Sequence, residues 1–183
     1  PQLRHIDLDR VTGWISIAVA VFAFALAFPI GTTYWEQALL FLNSAPAGLA
    51  DPLFGKDVSF FLFRYPFLDG INTMVRSMIV AAALLTTAVY VVRGGFVLRE
   101  RFFSIDPFVK RHLGALVSLF LISLAVSFVL DRYGLLFTEH GVLYGASYTD
   151  VHVRLVVLSV MAVLSGATAI AVPFFVSRRS LVA

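Results

Sequence analysis

Residues 11–35, 113–130 and 155–177 contain no charged side chain, and uncharged runs of this length leave few places for the chain to fold. A helix needs roughly 20 residues, at 1.5 Å each, to cross the ~30 Å hydrocarbon layer of a bilayer, and these runs reach or approach that length. A fourth run, 77–92, is shorter. It becomes a span when its helix starts near Ile71 and carries Arg76 in its outer part, where the guanidinium snorkels or pairs with an acid such as Asp69, two turns away. The expected fold is an all-α integral membrane protein with about four transmembrane helices, over about 11–33, 71–92, 113–130 and 155–177, forming a single transmembrane domain. A membrane β-barrel would need short segments of alternating polarity, whereas these runs are apolar on every side. Charged residues make up 14% of the chain, against about 25% in soluble domains, so a water-soluble globule is excluded.

Trp14 near one end of the first run, with Tyr34 and Trp35 at the other, places amphipathic rings at both interfaces. Basic residues set the expected orientation. Arg4, Arg10, Arg93, Arg99, Arg101, Lys110, Arg111, Arg178 and Arg179 fall on one side, and only Lys56, Arg64, Arg132 and Arg154 on the other. Both termini and the 93–112 connection are therefore expected in the cytoplasm, with loops 36–70 and 131–154 outside. Loop 36–70 reads as two interfacial segments, Glu36–Asn43 and Val58–Phe67, around turn chemistry at Pro46, Gly48 and Asp51-Pro52. The 93–112 connection mixes phenylalanines with cations and suits anionic headgroups. The sequence opens on Pro1, with charged residues directly after it, and is expected to be a piece of a longer or processed polypeptide.

The segments Asp51–Gly70 (DPLFGKDVSFFLFRYPFLDG) and Asp131–Leu155 (DRYGLLFTEHGVLYGASYTDVHVRL) resemble the signature loops of Uncharacterised Protein Family 0182, large bacterial multi-pass membrane proteins without an established activity. The resemblance implies the bacterial cytoplasmic membrane as location. It also implies further helices and a large extracytoplasmic domain in the full-length members, and it supplies no catalytic residues.

Residues with chemistry are few. Ser147 and Asp150 have capping-box spacing before the fourth helix. Glu139, His140, Asp150 and His152 offer metal-ligating atoms, but without a spacing that supports a metal site. The four histidines lie outside the apolar runs or at their edges, His112 being nearest to a span, so haem held by an axial histidine is not expected. No cofactor is expected, and the absence of cysteine removes thiol chemistry. Arg76 is the one ionisable residue inside an expected span.

Small residues at Ala23-x-x-x-Ala27, Ala82-x-x-x-Thr86 and Ala162-x-x-x-Gly166 suit close helix packing. Phe60, Phe61, Phe63, Tyr65 and Phe67 form an aromatic cluster suited to lipid or to a partner. Together with Ala162 and Gly166 they are the candidate partner contacts. The expected function is non-catalytic: a structural or accessory subunit among other integral membrane subunits and lipids, for example in a respiratory or photosynthetic complex. The alternative is the membrane part of a transporter or envelope-lipid handling protein. Nucleic acid is not an expected partner, because the cations are scattered rather than gathered on one face.

Overall fold

The computed structural model describes residues 8–93, 96–99, 102–140 and 143–179. Four long helices dominate. Helix α1 is Leu8–Leu42. Helix α2, Tyr65–Val92, is entered through one π-helical turn, Phe60–Arg64. Helix α3, Pro107–Gly134, runs out into a 3-10 turn, Leu135–Phe137. Helix α4, Leu155–Arg179, follows a second π-helical turn, Asp150–Arg154. Between them lie two antiparallel ribbons, β1 (Phe96–Arg99) with β2 (Phe102–Ile105), and β3 (Glu139–His140) with β4 (Leu143–Tyr144). The ribbons are short connections, and the fold is helical in class, as expected. The 93–112 connection in particular folds as a hairpin, with Arg99 opposite Phe102.

Among the described residues, Phe60–Val92, Pro107–Phe137 and Asp150–Val176 are long and apolar enough to cross a membrane. The helices outrun their uncharged stretches. The segment 36–42 continues α1 instead of forming a separate interfacial helix. The aromatic run 60–67 forms the opening turns of the second helix rather than a loop, and the wide π-helical turn accommodates Pro66 without ending the helix. Helix α3 starts six residues before its apolar run because Asp106 caps it, accepting from the Phe108 N–H at 2.7 Å, with Pro107 in the first turn where no N–H is needed.

The chain divides into two compact units, Pro1–Glu36 and Gln37–Ala183. Within the second unit α3 is central and packs along both α2 and α4. Tyr65 meets Phe137 and Tyr90 meets His112, so α2 and α3 are antiparallel. The side of α3 facing its neighbours is built from small residues: Gly114, Ser118, Ser123 and Ser127 are buried. A Cβ at Gly114 would come 3.2 Å from a Val176 methyl, so glycine there allows α4 to approach closely. Leu84, Val163 and Ile170 are among the many large apolar side chains left exposed, as expected where lipid is the surrounding solvent.

Candidate functional site

The polar residues of the membrane-spanning region converge between α2 and α3. Asn72, buried on α2, donates through Nδ2 to the Ser127 hydroxyl at 2.8 Å and to the Ser123 carbonyl at 3.2 Å. Its Oδ1 accepts from the Ser123 hydroxyl at 3.0 Å. Arg76, one turn along α2, donates through Nη1 to the same Ser127 hydroxyl. Both ends of the Asn72 amide are thus engaged, and the cost of an amide in hydrocarbon is offset across the interface.

Arg76 and Asn72, one turn apart on α2, share the Ser127 hydroxyl. The hydrogen-bonding partner of Arg76 is thus a serine on the neighbouring helix, where Asp69 on its own helix was the partner suggested by spacing. Two i, i+4 polar pairs in facing spans, Asn72 with Arg76 and Ser123 with Ser127, were the available signal for this cluster. Sequence reasoning missed Asn72 and both serines.

Beyond this clamp, toward the end of the pair that carries Tyr65 and Phe137, the aromatic residues gather. Phe61 is 5% exposed and packs with Phe54 (ring centroids 6.3 Å) and Tyr133 (6.2 Å). Phe60 lies edge-on to Tyr133 at 5.1 Å, with the Lys56 ammonium 5.3 Å above its ring. Tyr65 stacks on Phe137 at 5.6 Å, and Phe67 pairs with Phe41 at 4.8 Å. Phe63 is half-buried. Phe60, Phe61, Tyr65 and Phe67 thus have ring partners inside this chain.

Phe54 is delivered to that cluster by a loop built on two aspartates. Asp51 accepts from the Leu53 and Phe54 N–H groups at 2.9 and 2.7 Å, which turns the chain at Pro52. Asp57 accepts from the N–H groups of Ala47, Gly48 and Ser59, all within 2.9 Å. Hydrogen bonds from Ser59, then from the Ala47 backbone, hold the Asp57 carboxyl well below the usual carboxylate range, so it is anionic whenever the loop is folded near neutral pH. The left-handed φ of +63° at Gly55 completes the turn.

Before α4, Ser147 and Asp150 bond reciprocally. The Ser147 N–H and hydroxyl donate to Asp150 Oδ2 at 3.0 and 2.8 Å, and the Asp150 N–H donates to Ser147 Oγ at 3.2 Å. Arg154 adds an ion pair to the other oxygen of this buried carboxylate at 3.1 Å. His152 stacks on Tyr148 instead of turning toward Asp150. The Glu139 and His140 side chains lie outside the described part; among the described residues no three histidine or acidic side chains gather as metal ligands would. His112 is hydrogen-bonded to the Tyr90 hydroxyl at 2.7 Å across the α2–α3 interface. On α4, Ala162 is half-buried, and a Cβ on Gly166 would meet nothing within 4 Å, so that small face is open among the described residues.

Long apolar helices joined by an intramembrane polar clamp define a helical membrane protein. The chain belongs to the uncharacterised protein family UPF0182, whose sequence profile matches residues 2–183. A UPF0182 protein of Pelobacter propionicus is 43% identical over 151 residues, covering 82% of this chain and 17% of that protein. A relative from Geobacter sp. (strain M21) is 37% identical over 164 residues, covering 90% of this chain and 18% of its own length. Another from Paenarthrobacter aurescens is 34% identical over 164 residues, covering 90% and 16%. The chain therefore spans about a sixth of the length of the curated relatives it matches. No solved structure matches it.

Proposed function

We propose that this chain is a non-catalytic, membrane-embedded scaffold that fixes the geometry of a helix bundle and packs against further membrane helices. The observation that carries the reading is how the buried polar groups are used: the Asn72 amide and the Ser123 and Ser127 hydroxyls are engaged with one another, tying α2 to α3. The open small face at Ala162 and Gly166 is where a further helix would approach. Leucine at both positions is expected to abolish recovery of a larger assembly in mild detergent while leaving helix content unchanged. An assembly of undiminished size would end the scaffold reading.

The same reading places the protein in the bacterial cytoplasmic membrane with α1 as a fourth span and both termini in the cytoplasm, supported by the distribution of basic residues. Because the sequence lacks cysteine, single cysteines introduced at Ser104 and Ser147 provide a clean test. They are expected to react with an impermeant thiol reagent from opposite faces of sealed vesicles. Reaction of both from the same face would refute the topology.

Arg76 favours a second reading, the membrane part of a transporter, because an ionisable residue within a span commonly marks a pathway. Under that reading Arg76→Lys would abolish solute flux in a reconstituted full-length relative without disturbing its assembly.

A further inference from the structure

The end of α3 opposite the aromatic cluster is flanked by two grooves. Between α3 and α4 an apolar groove of about 510 Å³ is walled by Leu113, Val117, Val172, Phe175 and Val176, and Lys110 lines it at one end. Between α2 and α3 a second groove, of about 710 Å³, runs along α2 from Ile79 to Val92. Val117 borders both. Arg93 and Arg111 are exposed at the level of Lys110, and the Tyr90–His112 hydrogen bond ties α2 to α3 beside them.

We propose that this end of α3 binds one anionic phospholipid, with its phosphate at Lys110 and its acyl chains along Leu113 and Val117, one on each flank of the helix. Charge complementarity selects this occupant. A transmembrane helix laid in the groove would press apolar side chains onto a lysine, whereas an amphiphile presents an anion to the lysine and hydrocarbon to the walls. The distance from Lys110 to Val117 is roughly 10 Å of helix, the reach of the upper half of an acyl chain. The site rests on the helices being membrane-embedded and is independent of the scaffold role.

The test uses the full chain in phosphatidylcholine nanodiscs doped with chain-spin-labelled phosphatidylglycerol or phosphatidylcholine, reading the motionally restricted fraction by electron paramagnetic resonance. Phosphatidylglycerol is expected to be preferred about fivefold. Lys110→Gln is expected to remove that preference, Lys110→Arg to retain it, and Val117→Trp, which sets a bulky ring on the ridge between the grooves, to remove it with helix content unchanged. Persistence of the preference in Lys110→Gln or in Val117→Trp overturns the site, as does equal restriction of the two lipids in the unaltered chain. Cross-linking of Val172→Cys to a second protein chain would assign the groove to a helix and also overturn it. Absence of restricted lipid of either kind would instead undo the membrane-embedded reading beneath it.

Discussion

Asn72→Leu is expected to loosen α2 from α3 and to lower the stability of the bundle by about 2–3 kcal/mol. Interhelical hydrogen bonds in membranes contribute on average about 0.6 kcal/mol and up to about 1.7. Asn72 makes three of them, to Ser123 and Ser127. Leucine also takes away the side-chain acceptor of the Ser123 hydroxyl in an apolar setting, which adds to the loss, while Ser127 keeps its bond from Arg76. Arg76→Leu removes a single bond and is expected to cost less, although more than a residue that only snorkels. Since the two residues share the Ser127 hydroxyl, the double variant should fall short of the sum of the singles. Reversible unfolding in mixed micelles, followed by helix circular dichroism, measures all three. An Asn72→Leu protein within about 0.5 kcal/mol of the parent would mean that the clamp contributes no net stability.

Phe61→Ala should have the larger effect, about 3–5 kcal/mol, the usual range for emptying a buried phenylalanine site. The reason is position: Phe61 is enclosed by Phe54 and Tyr133, so its removal leaves a cavity rather than fresh lipid contact. The loss should appear first as increased protease sensitivity of the 43–59 loop, because Phe54 anchors that loop to the same cluster. Phe63→Ala, at a half-buried position, serves as the comparison and should cost much less. Equal loop cleavage in both variants would show that Phe61 has no special place in holding the loop.

The spans were legible in the sequence because hydropathy over a long window needs no knowledge of neighbours. Their ends were not, since Lys110 and Arg111 lie outside the apolar run yet inside helix α3, and the π-helical turn before Pro66 has no sequence signature. Phe60 to Phe67 announced an aromatic surface. Which ring turns inward depends on where Tyr133 arrives from, and that is tertiary information. Asn72, Ser123 and Ser127 are ordinary polar residues until α2 and α3 are set in register. The capping spacing of Ser147 and Asp150 could be read locally because the whole motif spans four residues.

The lengths of the uncharged stretches also bear on the membrane itself. The uncharged stretches of α2 and α3, 77–92 and 113–130, correspond to roughly 24 and 27 Å of helix, short of a ~30 Å hydrocarbon core, whereas 155–177 on α4 corresponds to roughly 34 Å. One bundle thus presents two hydrophobic thicknesses to the surrounding lipid. Snorkelling of flanking charges, thinning beside α2 and α3 and tilting of α4 are the expected accommodations, each at a modest cost per ångström. Where the bilayer thins, the lopsided dimple that results would make the lipid beside α2 and α3 thinner than the lipid beside α4, giving the bundle a preferred orientation toward neighbours that share the same short span.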